Sequence, residues 1–111
     1  MIVKTKKGDL PVRYGMNALA HFGDLTGKSM NEVMDGLGDL GKLKLSEVLA
    51  FIYVGFVDGA NYKEEECKVI SISDVGNMID DDGDLLGKVT DVFQNNAAQE
   101  GEKKDEEVKK K

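Results

Sequence analysis

The chain has 111 residues, of which 41% are hydrophobic and 32% charged, with a net charge of −6. That length supports one small core, burying only about 60–68% of the unfolded surface, and the acidic balance argues against binding a phosphate backbone, which needs clustered Lys and Arg. One cysteine, Cys67, excludes an intramolecular disulfide and one histidine, His21, argues against a Cys/His zinc site; the opening MIVKTKKGD lacks the apolar stretch of a secretory signal, so a soluble cytosolic protein is expected.

Taken in order, Ile2 to Thr5, Lys6-Lys7-Gly8-Asp9 and Leu10 to Tyr14 read as strand, turn and strand, a hairpin over residues 2–14. Pro11 cannot donate to a ladder, so the second strand lies at an edge or begins there. A lone two-stranded hairpin is barely stable in water, so this one must dock on helices or on another copy of the chain. Asn17 is the expected cap of a short helix with Met16, Leu19, Ala20 and Phe22 on one side, ended by Thr26-Gly27-Lys28. Ser29 with Glu32 forms a capping box for a helix striped by Met30, Val33, Met34 and Leu37. Gly36, Gly38 and Gly41 weaken its far end, each by up to about 1 kcal/mol relative to alanine.

The stretch Leu45 to Ala60, LSEVLAFIYVGFVDGA, organises the rest. Ser46 is the expected N-cap. Val48, Leu49, Ile52, Phe56 and Val57 make one apolar face, and Phe51 and Val54 fall on the other side, so the helix is apolar nearly all round. Such a helix is central in a core or lends its second face to a partner. A bilayer span needs about 20 apolar residues, and this run is shut in by Glu47 and Asp58. Asp58-Gly59 supplies the expected stop.

Beyond it, Asn61 and Glu64 suggest a weak cap for a segment from Tyr62 to Lys68, Val69 to Ile72 is ambiguous between strand and loop, and Ser73-Asp74 opens a turn or two holding Val75, Met78 and Ile79. After the acidic run Asp80 to Asp84, Leu85, Leu86, Val89, Val92 and Phe93 form the cleanest amphipathic pattern in the chain. From Asn95 the apolar content collapses, and five acidic residues and five lysines make residues 95–111 a neutral, flexible charged tail. Its i,i+4 acid–lysine pairs give it some nascent helix. The expected fold is mainly α with a small N-terminal β-hairpin (α+β), a compact helical domain over residues 1–94 and the tail beyond.

Three stretches invite a chemical reading and decline it. Gly23 to Ser29 resembles a phosphate-binding loop, but that motif needs four residues between its glycines and here there are three. Placing Gly83 at the sixth position of a calcium loop puts Met78 first and Val89 twelfth, where Asp and a bidentate Glu are required. Glu64-Glu65-Glu66 has neither a histidine nor an apolar pocket to split its pKa values. His21 reads as a core-edge residue, and Cys67 has no companion histidine in a catalytic pattern. No catalytic constellation, metal site or cofactor is expected, and an enzyme is the weakest option.

Taken together, the hairpin I-V-K-x-x-x-G-x-x-P-V-R-Y-G, a short helix, a capped helix, the L-S-E-V-L-A-F-I-Y-V-G-F segment ending in Asp-Gly, an I-S-x-x-D-V segment and a last amphipathic helix before a charged tail resemble the tail assembly chaperones of long-tailed bacteriophages and prophages of Gram-positive hosts. The resemblance covers about residues 1 to 94, and its most specific pieces are Gly8, Pro11 to Gly15, Leu45 to Tyr53, and Ile72 with Asp74-Val75. It implies a non-enzymatic protein of the host bacterial cytoplasm, absent from the mature virion. Such a protein coats and solubilises the helical tape-measure protein and helps recruit tail tube protein, with self-association along the client and no nucleic-acid or membrane partner.

The residues themselves are compatible with that role. Many copies of a small acidic domain could keep a client soluble by like-charge repulsion. Apolar helix faces in excess of one core's needs could take the client or a neighbouring copy in the helix-in-groove manner, helped by five methionines. The candidate contact residues are Met30, Val33, Met34 and Leu37, with Phe51 and Val54; the competing reading puts all six in the core. The rival function is a small acidic adaptor, or a structural tail protein, binding one partner stoichiometrically.

Overall fold

A computed structural model describes residues 2–94, apart from the side chains of Leu37 and Leu40. The fold is mainly helical with a two-stranded antiparallel hairpin at its start, as expected; the tail expected over residues 95–111 lies outside the described residues. Strand β1 (Ile2–Thr5) pairs with β2 (Gly8–Pro11) in the register Val3↔Leu10. Helices α1 (Met16–Thr26), α2 (Met30–Gly38), α3 (Leu45–Tyr62) and α4 (Ile72–Asp81) follow, with a single 3₁₀ turn at Leu40–Lys42, and a fifth helix, α5, runs over residues 85–94.

The hairpin is shorter than its β-prone sequence suggested. Strand β2 ends at Pro11, and residues 12–14 belong to no strand. They lie instead along α3. The Arg13 backbone N–H donates to the Gly55 carbonyl at 3.0 Å, and a Cβ built on Gly59 would fall 2.4 Å from the Pro11 carbonyl oxygen. Gly55 and Gly59 are one helical turn apart, so together they make a bare strip on which the chain can lie. Gly59 is therefore not the helix stop: α3 continues to Tyr62. It ends where Glu64, at φ 58°, turns left-handed and the Glu65 N–H reaches back to the Ala60 carbonyl.

The start of α3 also differs from expectation. Lys44, not Ser46, is the N-cap, because Glu47 Oε1 accepts the Lys44 N–H at 2.9 Å, the half of a capping box that a lysine cap permits. Helix α1 is capped at Gly15 rather than Asn17, whereas Ser29 and Glu32 form the full capping box expected of α2. The weak cap at Asn61 produces no helix, and residues 63–70 form a loop that buries Val69 and exposes Ile70. Ser71 caps α4, two residues ahead of the expected start, by accepting the Asp74 N–H at 3.1 Å.

The core gathers around α3, which buries nine residues. Phe51 stacks on Tyr14 with ring centres 4.5 Å apart and receives Phe22 and Phe93 edge-on at 6.0 and 5.0 Å. The Tyr14 hydroxyl donates to the Phe51 carbonyl at 2.9 Å, and burial holds its pKa well above the usual tyrosine value. Buried aromatics of this kind contribute about 1.5–3 kcal/mol each from burial, with a further 0.5–1.5 kcal/mol or so for each well-arranged ring pair. Leu85, Val89 and Val92 of α5 close the same core. Lys88 fastens that helix down, its ammonium 2.9 Å from Asp82 and 3.3 Å from the Lys4 carbonyl.

Candidate functional site

Two polar arrangements and one apolar groove stand out from this scaffold. The first polar arrangement surrounds Asp58, which is only 3% exposed. Its carboxylate accepts the Gly15 N–H at 2.9 Å and lies 3.3 Å from the Arg13 guanidinium, whose other side covers the Tyr62 ring at 4.2 Å. A buried carboxylate with this many donors is satisfied, so its role is to fasten the start of α1 to the end of α3. The second arrangement joins helix starts: Lys28 bridges to Glu47 at 3.1 Å. Backbone N–H groups come first among the causes that hold both Glu32 and Glu47 below the usual carboxylate range, the Ser29 N–H for Glu32 and the Lys44 N–H for Glu47.

The groove lies between α1 and α2 and encloses about 420 Å³. Met16, Leu19 and Ala20 line it from α1, and Met30, Val33 and Met34 from α2. Helix α1 turns Ala18 and Phe22 into the core, which leaves its Met16–Leu19–Ala20 side facing α2 rather than packed on α3. The sequence pattern had placed Met16, Leu19 and Ala20 on the same side as Phe22, and the helix separates them. Met16, Met30 and Met34 are 67, 68 and 56% exposed, a large apolar display on one face of a small protein.

The candidate contact residues therefore divide. Met30 and Met34 lie exposed on the groove wall, with Val33 at its base, buried to 3%. The Leu37 side chain lies outside the described residues. Phe51 and Val54 are 2 and 0% exposed, so their assignment to a partner surface is corrected: α3 is wrapped on both faces by α1, α4, α5 and the 11–15 segment, and its second face is used up internally. Sequence reasoning missed Met16 as a partner of Met30 and Met34. Its signal was available, since three of the five methionines fall within 19 residues.

The remaining candidates of the sequence take ordinary positions. His21 is half-buried and edge-on to Tyr53, ring centres 5.8 Å apart. The Cys67 thiol donates to the Val69 carbonyl. Glu64, Glu65 and Glu66 are exposed, and Asp82 in the acidic run is held by Lys88. Among the described residues no group of three or more His, Cys, Asp or Glu is placed to hold a metal ion, and no helix is long and apolar enough to cross a membrane. Compared with protein-family models, with curated proteins and with solved structures, the chain finds no match in any of the three.

Proposed function

We propose that this protein is a non-enzymatic binding protein that takes an apolar helical segment of a client into the groove between α1 and α2, and that it acts as a phage tail assembly chaperone. In that role it coats and solubilises the tape-measure protein in the host cytoplasm, helps recruit tail tube subunits and stays out of the finished particle. The observation that carries the reading is the row of three exposed methionines around an apolar groove, on a chain whose core is otherwise closed. Methionine suits a surface that must accept many slightly different apolar segments along a long client, because its unbranched thioether repacks at little cost. Coating also requires contacts between neighbouring copies, for which Leu45 and Ile70, both more than 70% exposed and outside the groove, are available.

Co-expression with a tape-measure fragment tests this. The wild-type protein keeps the fragment soluble and elutes with it as a large, multi-copy complex by light scattering, and the double variant Met30→Ser, Met34→Ser loses both effects while eluting alone as the wild type does. A sharp one-to-one complex would instead favour the stoichiometric adaptor. Recovery of the protein in purified particles would favour a structural tail protein.

A further inference from the structure

The charges around the groove go beyond that reading, and they select the partner's chemistry. Neither wall contains a lysine or an arginine: α1 carries Asp24, and α2 carries Glu32 and Asp35. Asp24 lines the groove itself, and Glu32 and Asp35 border an adjoining depression that shares Met34. All three are exposed. Lys28 also lines the groove, where its charge is offset by a 3.1 Å ion pair with Glu47, and it faces Glu32 as well. The apolar groove thus has a border that is acidic on balance, with Asp24, Glu32, Asp35 and Glu47 set against Lys28. His21, the remaining ionisable residue of α1, faces away toward Tyr53.

Resting on the reading of this groove as a docking face, we infer that its occupant is a basic amphipathic helix: an apolar stripe at i, i+3, i+4 and i+7 flanked by Lys or Arg, from a partner protein. The stripe fills the methionine-walled groove and the flanking cations meet Asp24 on one side and Glu32 and Asp35 on the other. Helix α2 has nine residues, so at 1.5 Å per residue the groove spans about two to three turns of a partner helix, roughly 9–12 residues. Residues 95–111 of this chain do not fit that description, because Ala97, Ala98 and Val108 are their only apolar residues.

The test is a titration of full-length protein, methyl-labelled at methionine, with two synthetic peptides of about 14 residues sharing one leucine stripe, one flanked by lysines and the other by glutamates. The lysine peptide is expected to shift the Met16, Met30 and Met34 methyl signals, to leave the buried Met78 signal in place, and to bind at least about ten-fold tighter than the glutamate peptide at low salt, a preference that shrinks as salt screens the rim. The double variant Asp24→Lys, Asp35→Lys, which alters two exposed side chains, reverses the preference. Equal affinity for both peptides, or shifts at methionines other than these three, overturns the inference. So does movement of the same signals on simple dilution, which would mean that a second copy occupies the groove. Binding of the lysine peptide without any effect on a tape-measure fragment would overturn the chaperone function and leave this inference standing.

Discussion

At the scale of single residues, the bare strip on α3 decides how the hairpin is held. Alanine is ordinarily favoured over glycine inside a helix by about 1 kcal/mol, so Gly59 is kept against its propensity. A methyl there would fall 2.4 Å from the Pro11 carbonyl oxygen and 2.8 Å from the Val12 nitrogen, both main-chain atoms that cannot swing aside. Gly59→Ala is therefore expected to destabilise the fold by about 1–3 kcal/mol despite the gain in propensity, read as a lower midpoint in urea unfolding. Gly76 in α4 is the control: the nearest atom to its added Cβ is the end of the Leu49 side chain at 3.8 Å. Gly76→Ala should raise stability by about 0.5–1 kcal/mol. A loss in both variants would show that the helices, rather than the Pro11 contact, are what the substitutions disturb. The sequence could not separate these cases, since an Asp-Gly pair at the end of an apolar run looks the same whether the glycine caps the helix or makes room for a distant strand. Asp58 misled for the same reason: its partners Arg13 and Gly15 are 43 or more residues away.

At the scale of elements, the helix starts are joined to acid stability. Glu32 and Glu47 are held below the usual carboxylate range chiefly by the backbone N–H groups of Ser29 and Lys44. Partial desolvation pushes Asp74 up, but the bonds from Lys7 and the Ile70 N–H outweigh it and its pKa too is lowered. Lys88, followed by the Asp84 N–H, does the same for Asp82. A carboxyl whose pKa is lower folded than unfolded stabilises the fold above its unfolded value and loses that contribution as pH falls through the folded value. The melting temperature is thus expected to hold between about pH 7 and pH 5 and to decline as acid titrates these groups. Ser29→Ala removes the cap, costs about 1 kcal/mol at neutral pH and should make the acid decline slightly shallower, because Glu32 loses the Ser29 hydroxyl while keeping the Ser29 N–H; a decline of unchanged slope would remove the hydroxyl's share of the capping box from the account. Caps of this kind were legible where the signature is local, as at Ser29-x-x-Glu32. They were misplaced at Ser46, where Glu47 reaches back to a lysine that no cap preference would select. The 61–68 segment failed as a helix because Glu64, turning left-handed, ends α3 just where the weak pattern would have begun a new one.

At the scale of the whole molecule, the question is which apolar residues are surplus to the core, and the sequence pattern of α3 leaves it open. A helix apolar all round is consistent both with a donated face and with burial on every side. The answer comes from elements far apart in the chain: Tyr14, Phe22 and Phe93 converge on Phe51, from the segment before α1, from α1 and from α5. Removing such a ring costs about 3–5 kcal/mol, and a domain of this size has roughly 5–14 kcal/mol of stability in all. Phe51→Ser with Val54→Ser is therefore expected to unfold the monomer, abolishing the cooperative thermal transition and most of the helical circular-dichroism signal. Met30→Ser with Met34→Ser changes two side chains that are mostly in water and should shift the transition by no more than about 1 kcal/mol equivalent. If the first pair left a folded monomer, the closed core around α3 would be wrong and its outer face would again be available to a partner. If the second pair unfolded the protein, the methionines would be structural and the groove would lose its claim to be a docking face. The two variants together thus divide core from surface on one physical criterion, the number of elements that meet at each side chain.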